Sequence, residues 1–138
     1  MTKMIEVKTA DLTGRALDYA VAMSEGATNL HFDTVACWWF TLNGRDRVLS
    51  SGWSEQQNYC PSTNWSQAGP LLTKYQLEFS IDEDTNRVGA SLLVWRSHGK
   101  SHRTRWSKGP HHLTAACRAI VAAKLGDTVQ VPAGLLAE

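Results

Sequence analysis

The chain lacks the features that define several large protein classes. No apolar run approaches the ~20 residues that a membrane-spanning helix needs, and the first seven residues, MTKMIEV, contain no apolar segment typical of a signal peptide. Hydrophobic residues make up 43% of the 138-residue chain and charged residues 20%, which is untypical of a disordered or fibrous protein. We therefore expect a single globular domain, residues 1–138, that is neither secreted nor inserted in a membrane.

Cysteine is scarce, and the familiar motifs for metals and cofactors are missing. The three cysteines, Cys37, Cys60 and Cys117, are odd in number and widely spaced. This spacing favours reduced thiols in a cytoplasm over a disulfide scaffold. There is no CxxC pair, HExxH motif, P-loop or GxGxxG motif, so the sequence predicts neither a metal site nor a cofactor.

Acidic residues are absent between Asp84 and Asp127, a segment that carries eight basic residues. The rest of the chain has six basic and 13 acidic residues, so +8 in the segment and −7 elsewhere give the net charge of +1. This asymmetry indicates an anionic partner for the basic segment. The alternative is that the acidic part of the same chain packs beside it.

Hydrophobic periodicity and turn residues predict an α+β fold, with two main helices packed on one face of a mainly antiparallel sheet. The first predicted helix covers residues 14–25, and the second starts at Gly109-Pro110 and runs to about Lys124. Asn43-Gly44 is typical of a hairpin turn. Residues 52–70 are predicted to form a long loop, followed by a helical turn at 71–74. The predicted strands cover residues 5–9, 35–41, 47–51, 75–81, 88–96 and 103–108, with an extended tail at 129–132.

Three segments carry a resemblance to a known family: residues 8–26, residues 59–71 (YCPSTNWSQAGPL) and residues 117–132 (CRAIVAAKLGDTVQVP). Together they resemble the NinX family of phages and prophages related to P22. The resemblance spans most of the chain and implies an accessory phage protein made in a bacterial cytoplasm, with no particular chemistry. The family usually has a serine where Cys60 stands, which argues against a thiolate nucleophile here.

The segment 59–70 is the first candidate ligand site. Its polar side chains could read a base edge or a ribose, and Tyr59 or Trp65 could stack on an aromatic ring. Gly69-Pro70 would start a turn whose free N–H groups meet an anion. The alternative is a self-capped loop, with Trp65 in the core and Asn64 satisfying the backbone. The candidate residues of this segment are Tyr59, Ser62, Thr63, Asn64, Trp65, Gln67 and Gly69.

The predicted helix start at Gly109-Pro110 is the second candidate site. Unpaired N–H groups and a partial positive charge at a helix N-terminus can hold a phosphate. Three basic side chains, Arg105, Lys108 and His111, would lie beside it. The alternative is an ordinary helix start with proline at its first position.

A third pattern is the alternation in residues 103–108. Arg103 and Arg105 would share one strand face, with Trp106 on the other. Basic residues interleaved with an aromatic suit a nucleic-acid backbone. A solvated edge strand protected by charge is the competing account.

These patterns together predict a non-catalytic phage protein that binds a small anionic ligand of the nucleotide type. The loop 59–70 would form one wall, and the helix start at Gly109 would hold the phosphate. Such a protein could sequester a host immune signalling nucleotide. Two alternatives stay open: an interaction protein that binds a host protein or nucleic acid through exposed tryptophans, and a phosphodiesterase-like enzyme with His111 or His112 as base. The sequence leaves the oligomeric state open, a homo-oligomer included.

Overall fold

A computed structural model describes residues 3–32, 38–49, 58–95, 99 and 101–136 of the chain. These residues form three α-helices, ten short strands and two 3₁₀ turns, at Thr9–Asp11 and Ala133–Leu135. The α-helices are α1 (Gly14–Ser24), α2 (Trp65–Lys74) and α3 (His112–Leu125). The strands are β1 (Met4–Lys8), β2 (Thr28–Phe32), β3 (Trp38–Leu42), β4 (Arg45–Val48), β5 (Glu78–Asp82), β6 (Arg87–Ser91), β7 (Leu93–Trp95), β8 (Ser101–Arg103), β9 (Ser107–Gly109) and β10 (Thr128–Pro132).

All strand pairs in the sheets are antiparallel, which confirms the α+β prediction. The strands of the described residues are divided among four small sheets, ordered β1-β10, β2-β3-β4, β5-β6-β9 and β7-β8. The sheets β5-β6-β9 and β7-β8 are separated at Leu92 and Thr104. Here a side chain takes part in place of a regular pair of backbone hydrogen bonds, because Thr104 Oγ1 accepts from Leu92 N and Thr104 N donates to Leu92 O, both at 3.0 Å. The predicted strands 88–96 and 103–108 are therefore each interrupted.

The hairpin and the helix ends follow the predicted turn residues. Asn43 and Gly44 both have positive φ, 53° and 78°, as a two-residue hairpin turn between β3 and β4 requires. α1 ends before Gly26 and α3 before Gly126, at φ values of 94° and 98°, which a glycine adopts without strain. Residues 35–37, 50–57 and 96, parts of predicted strands and of the predicted loop, lie outside the described residues.

The prediction of a continuous loop up to residue 70 is wrong from Trp65 onward, where α2 begins. Asn64 caps this helix, because its side chain accepts a hydrogen bond from Gln67 N at 3.2 Å. Pro70 lies inside the helix, and the predicted turn at 71–74 is its C-terminal half. The pattern Asn-x-x-Gln resembles a capping box. The surrounding segment is rich in polar residues, and this composition favoured the prediction of a loop over that of a helix. A strand at 75–81 starts late, because Gln76 has a φ of 51° and β5 begins only at Glu78.

The second predicted helix start is displaced. Gly109 pairs with Val88 as the last residue of β9, and His111 is the N-cap of α3, so Pro110 is not the first helical residue. A Cβ at position 109 would lie 2.8 Å from Ala115 N. The glycine therefore allows the strand to pack directly on the first turn of α3.

α3 joins the two hydrophobic clusters of the described residues. Cys117 and Val121 pack with α1, β3 and β10 in the larger cluster. Ala119 and Ile120 pack in the smaller one, which includes Val88 and Ala90 of β6. α3 thereby covers one face of the sheet β5-β6-β9. The opposite face, called the outer face, borders the candidate site.

Candidate ligand-binding cleft

The aromatic ring of Tyr59 belongs to the core. Its relative exposure is 6%, it packs edge-on against Phe40 with ring centroids 5.5 Å apart, and the Arg47 guanidinium lies 5.1 Å from its centroid. Burial raises the pKa of the Tyr59 hydroxyl. Stacking on a ligand would require this ring to leave the core, so Tyr59 acts here as a structural residue.

The polar side chains of segment 59–70 hold the segment itself together. The Gln67 amide donates to Asn58 O at 2.7 Å and accepts from Cys60 N at 2.8 Å. The backbone N of Ser62 donates to Oδ1 of buried Asp18 at 2.9 Å. Asn64 caps α2, so the self-capped alternative fits Asn64 and Gln67, whereas the buried Ser62 is held through its backbone by Asp18 of α1. Thr63 is exposed, with its hydroxyl 3.4 Å from Cys60 O.

Trp65 is outside the core, contrary to that alternative. It is 59% exposed, and its ring centroid lies 6.2 Å from that of His112. The His112 ring in turn contacts Phe79 edge-on at 5.1 Å. The structure therefore brings one residue of the first candidate site next to the start of α3, as a composite site would need.

The predicted anion donors at the two Gly-Pro pairs are not formed. Gly69 lies in the middle of α2, where helical N–H groups bond to carbonyls of the preceding turn. Gly109 is buried in β9 against the first turn of α3. His111 is exposed at the N-cap, and its ring Nε2 lies 3.0 Å from Thr114 Oγ1.

The two halves of the composite site lie on opposite faces of the sheet β5-β6-β9. Gly109 of β9 faces α3, and alternation along a strand turns the preceding Lys108 to the outer face, where it is exposed. Phe79 and its contact His112 are on the α3 side. Trp65 therefore lies on one side of this sheet and Lys108 on the other.

The basic residues instead converge on a cleft of about 670 Å³ bordered by β9, α3 and the end of β1. Five cationic residues and one carboxylate border it, so these side chains contribute five positive charges and one negative. They are Lys8, Arg87, Arg105, Lys108, Arg118 and Asp127. The Arg105 and Asp127 side chains are 94% and 84% exposed and 3.8 Å apart, which makes a weak, solvent-screened pair.

Arg118 is the buried member of this set, at 6% relative exposure. Its Nε donates to Leu12 O at 3.0 Å and its Nη1 to Lys108 O at 2.8 Å. No carboxylate of the described residues lies within 4 Å of this guanidinium. Burial lowers the pKa of Arg118, the neighbouring charge of Arg87 lowers it further, and the more distant Asp11 carboxylate opposes the change; an arginine stays protonated in proteins.

Trp106 lies on the outer sheet face and borders both this cleft and a second one of about 310 Å³. Its indole packs over Gly89, where a Cβ would lie 3.3 Å from Cε3. The side chain remains 47% exposed. The second cleft is bordered by Ser80, Asp82, Arg87, Gly89, Trp106 and Lys108.

The predicted pairing of Arg103 with Arg105 is not formed. Arg103 is engaged by the protein, with Nη1 donating to Gln76 O at 2.7 Å and Nε lying 3.2 Å from Glu78 Oε2. Arg105 follows β8, outside any strand. The two guanidinium groups therefore do not form one row on a strand face.

Sequence reasoning found Arg105 and Lys108 but did not select Arg118, Arg87 or Lys8. One signal for Arg118 was present, because an arginine inside the otherwise apolar run AACRAIVAA needs a buried polar partner. A signal for Trp106 was Gly89, since glycine within a strand often marks a close approach.

Among the described residues we find neither a cluster of metal ligands nor a helix that could span a membrane. Their histidines, cysteines and acids form no group of three that could ligate a metal ion. No helix among them combines the length and hydrophobicity needed to cross a membrane.

Comparison with known proteins gives one family. No curated protein matches the sequence significantly. The family described as bacteriophage P22 NinX matches residues 8–124, a span that includes α1, α2, most of α3 and the residues of both clefts except Asp127 and Thr128. The chain therefore belongs to the NinX family of bacteriophage P22.

Proposed function

We propose that this protein binds a small anionic ligand of the nucleotide class and releases it unchanged, with the phosphate beside Arg118 and the base against Trp106. The observation that carries the proposal is the buried guanidinium of Arg118 at the basic cleft, which forms no ion pair within 4 Å with a carboxylate of the described residues.

The energetics of Arg118 favour an anionic ligand. Burying a guanidinium costs several kcal/mol unless charge or hydrogen bonds compensate. Two backbone carbonyls supply part of the compensation, and they occupy Nε and Nη1. The remaining donors of the planar fork suit phosphate oxygens, which arginine binds with two parallel hydrogen bonds.

The other cations extend the same site. Lys8, Lys108 and Arg105 are exposed around the cleft, so they can attract an anion and contact additional phosphate oxygens. Several donors would share the charge of one phosphate. The cleft offers more hydrogen-bond donors than the two oxygens of a carboxylate can accept, and this favours a phosphate ester as the ligand.

Trp106 supplies the second requirement of a nucleotide site. The indole has one side against Gly89, and its exposed part borders both clefts. A nucleobase stacked on such a ring gains about 1–3 kcal/mol. Arg87 and Lys108 also border both clefts, so a ligand can extend from the indole to Arg118 without leaving basic surroundings.

We propose that this binding takes place in the cytoplasm of an infected bacterium, a setting that membership of a phage family supports. A protein that holds a nucleotide without transforming it lowers the free concentration of that nucleotide. Sequestration of a host immune signalling nucleotide is the role we propose for this chain in that setting.

The proposal is tested by thermal unfolding and calorimetric titration with pyrophosphate and with nucleoside mono-, di- and cyclic phosphates. A ligand at a hundredfold excess over its dissociation constant should stabilise the native state by ~2.7 kcal/mol. The stabilisation should decrease in Arg118→Met and in Lys108→Ala, whereas Arg45→Ala, an exposed arginine of the β3–β4 hairpin, should behave like the wild type. The Lys108 variant covers the case in which Arg118→Met does not fold.

Recovery of intact ligand after denaturation would support binding without catalysis, and its steady consumption would favour the phosphodiesterase reading. Tighter binding to single-stranded oligonucleotides than to mononucleotides, with a steep salt dependence, would favour a nucleic-acid partner. If no phosphate compound binds, the proposal is overturned, and a host protein recovered from infected cells becomes the alternative.

A further inference from the structure

We infer that the cleft beside Trp106 selects guanine, with Asp82 accepting hydrogen bonds from the Watson–Crick edge of the base. This inference rests on the proposed function, because it assigns the base of the same nucleotide ligand. It adds a specificity-determining residue and narrows the substrate class to guanine nucleotides.

Strand register brings Asp82 to the outer sheet face next to Trp106. Ser80, Gly89 and Lys108 form one cross-strand row, and Asp82 pairs with Arg87 two residues further along β5. Side chains two residues apart on a strand share a face. Asp82 therefore stands on the face over which the indole packs, and both border the 310 Å³ cleft.

The Asp82 carboxylate is fixed in position and has acceptor capacity left. Its Oδ1 accepts from Asp84 N at 3.0 Å and from Thr85 N at 3.4 Å, which closes the turn between β5 and β6. Both of these backbone donors bind Oδ1 and leave Oδ2 available, while the Thr85 hydroxyl and the Lys108 ammonium lie near the carboxylate. The same backbone hydrogen bonds, together with the Thr85 hydroxyl and the Lys108 charge, lower the pKa of Asp82, so the carboxylate is ionised near neutral pH and can only accept.

An acceptor-only group distinguishes the common bases. Guanine presents two adjacent donors, N1–H and N2–H, on its Watson–Crick edge, and a carboxylate can accept from both. Adenine presents only one donor group there, the N6 amino group, and beside it a lone pair at N1, which a carboxylate repels. The carboxylate also opposes a phosphate at this position, so the anionic end is directed towards the larger, more basic cleft and the base towards Asp82.

The test is a titration of the wild type and Asp82→Asn with GMP, IMP, AMP and pyrophosphate. We expect wild type to bind GMP at least tenfold more tightly than AMP, with IMP, which lacks the N2 amino group, between them. Asp82→Asn keeps an oxygen acceptor for the turn, so it should fold, and it should lose most of the difference between GMP and AMP. Pyrophosphate binding should be retained or strengthened in the variant.

The possible outcomes test guanine selection and the proposed function separately. Equal affinities for GMP and AMP in a wild type that still depends on Arg118 would overturn guanine selection and leave the proposed function standing. A GMP preference that survives in Asp82→Asn would overturn the role of Asp82. Absence of binding by all four compounds would overturn both.

Discussion

The buried guanidinium of Arg118 holds the backbone of the residue that carries the exposed Lys108 ammonium, because Arg118 Nη1 donates to Lys108 O at 2.8 Å. The same guanidinium donates through Nε to Leu12 O. Arg118 therefore ties β9 and the segment before α1 to α3. A ligand that contacts this guanidinium would therefore be linked to the strand that carries Lys108 through one hydrogen bond.

The exposed side chains of Trp65 and Trp106 should differ in their effect on ligand binding. Trp106→Ala removes the proposed stacking platform, and the loss of about 1–3 kcal/mol should weaken nucleotide binding by roughly 5- to 150-fold. Trp65→Ala removes a ring on the opposite face of the sheet and should leave the affinity unchanged. Calorimetric titration of both variants measures this. A loss confined to Trp65→Ala would return the site to the α3 side, near His112.

Two glycines should respond in opposite directions to replacement by alanine. At Gly109 the new Cβ would lie 2.8 Å from Ala115 N and 3.1 Å from Thr114 Cβ, so we expect a destabilisation of about 1–3 kcal/mol. At Gly69, inside α2, nothing lies within 4 Å of the Cβ position, and alanine should stabilise by roughly 0.5–1 kcal/mol. Denaturant unfolding gives both values, and a neutral Gly109→Ala would contradict the close packing of β9 on α3.

Asp18 should make the protein more stable at mildly acidic pH. Burial raises the pKa of this carboxyl to about 7, although the hydrogen bond from Ser62 N opposes the change. Between its ordinary pKa near 4 and pH 7 the folded state then binds more protons than the unfolded state, so stability falls as pH rises through this range. The effect is on the order of 3–4 kcal/mol, at ~1.4 kcal/mol per pKa unit.

The variant Asp18→Asn tests this pH dependence. It keeps an acceptor for Ser62 N and removes the charge, so it should raise the free energy of unfolding at pH 8 and flatten the profile between pH 4 and 7. Exposed Asp84→Asn serves as the control, with a profile like that of the wild type. A wild type that gains stability from pH 4 to 7 would show that other groups dominate.

Asn64 should matter for stability and not for the ligand. Its side chain caps α2 through Gln67 N, and replacing such a cap by alanine costs about 1 kcal/mol, which corresponds to a fall in Tm of a few degrees for a chain of this length. Ser66→Ala, an exposed position in the first turn of α2, is the matched control. A large loss of nucleotide affinity in Asn64→Ala at unchanged stability would place the ligand at segment 59–70 after all.

Local sequence predicted the elements whose signals are local. Gly26 and Gly126 marked helix ends, and Asn43-Gly44 marked the hairpin, because each conformation depends on one or two residues. Local signals gave a wrong prediction where pairing between residues distant in the chain competed with them. Gly109-Pro110 has the composition of a helix start, but the pairing of Gly109 with Val88 extends β9 through it. The single-domain assignment stays a prediction.

The sequence by itself determined the α+β class, the basic segment between Asp84 and Asp127 and the resemblance to the NinX family. Only the tertiary structure decided which cations meet. Lys8 and Arg118 are far apart in the chain, yet they border one cleft, because β1 pairs with β10 and the segment after β1 receives the Arg118 hydrogen bond. Likewise, segment 59–70 is rich in polar groups, and Asn58 and Asp18, which lie outside the segment, bind Gln67 and Ser62. Such convergence is set by contacts between residues distant in the chain, and no local pattern of residue types encodes it.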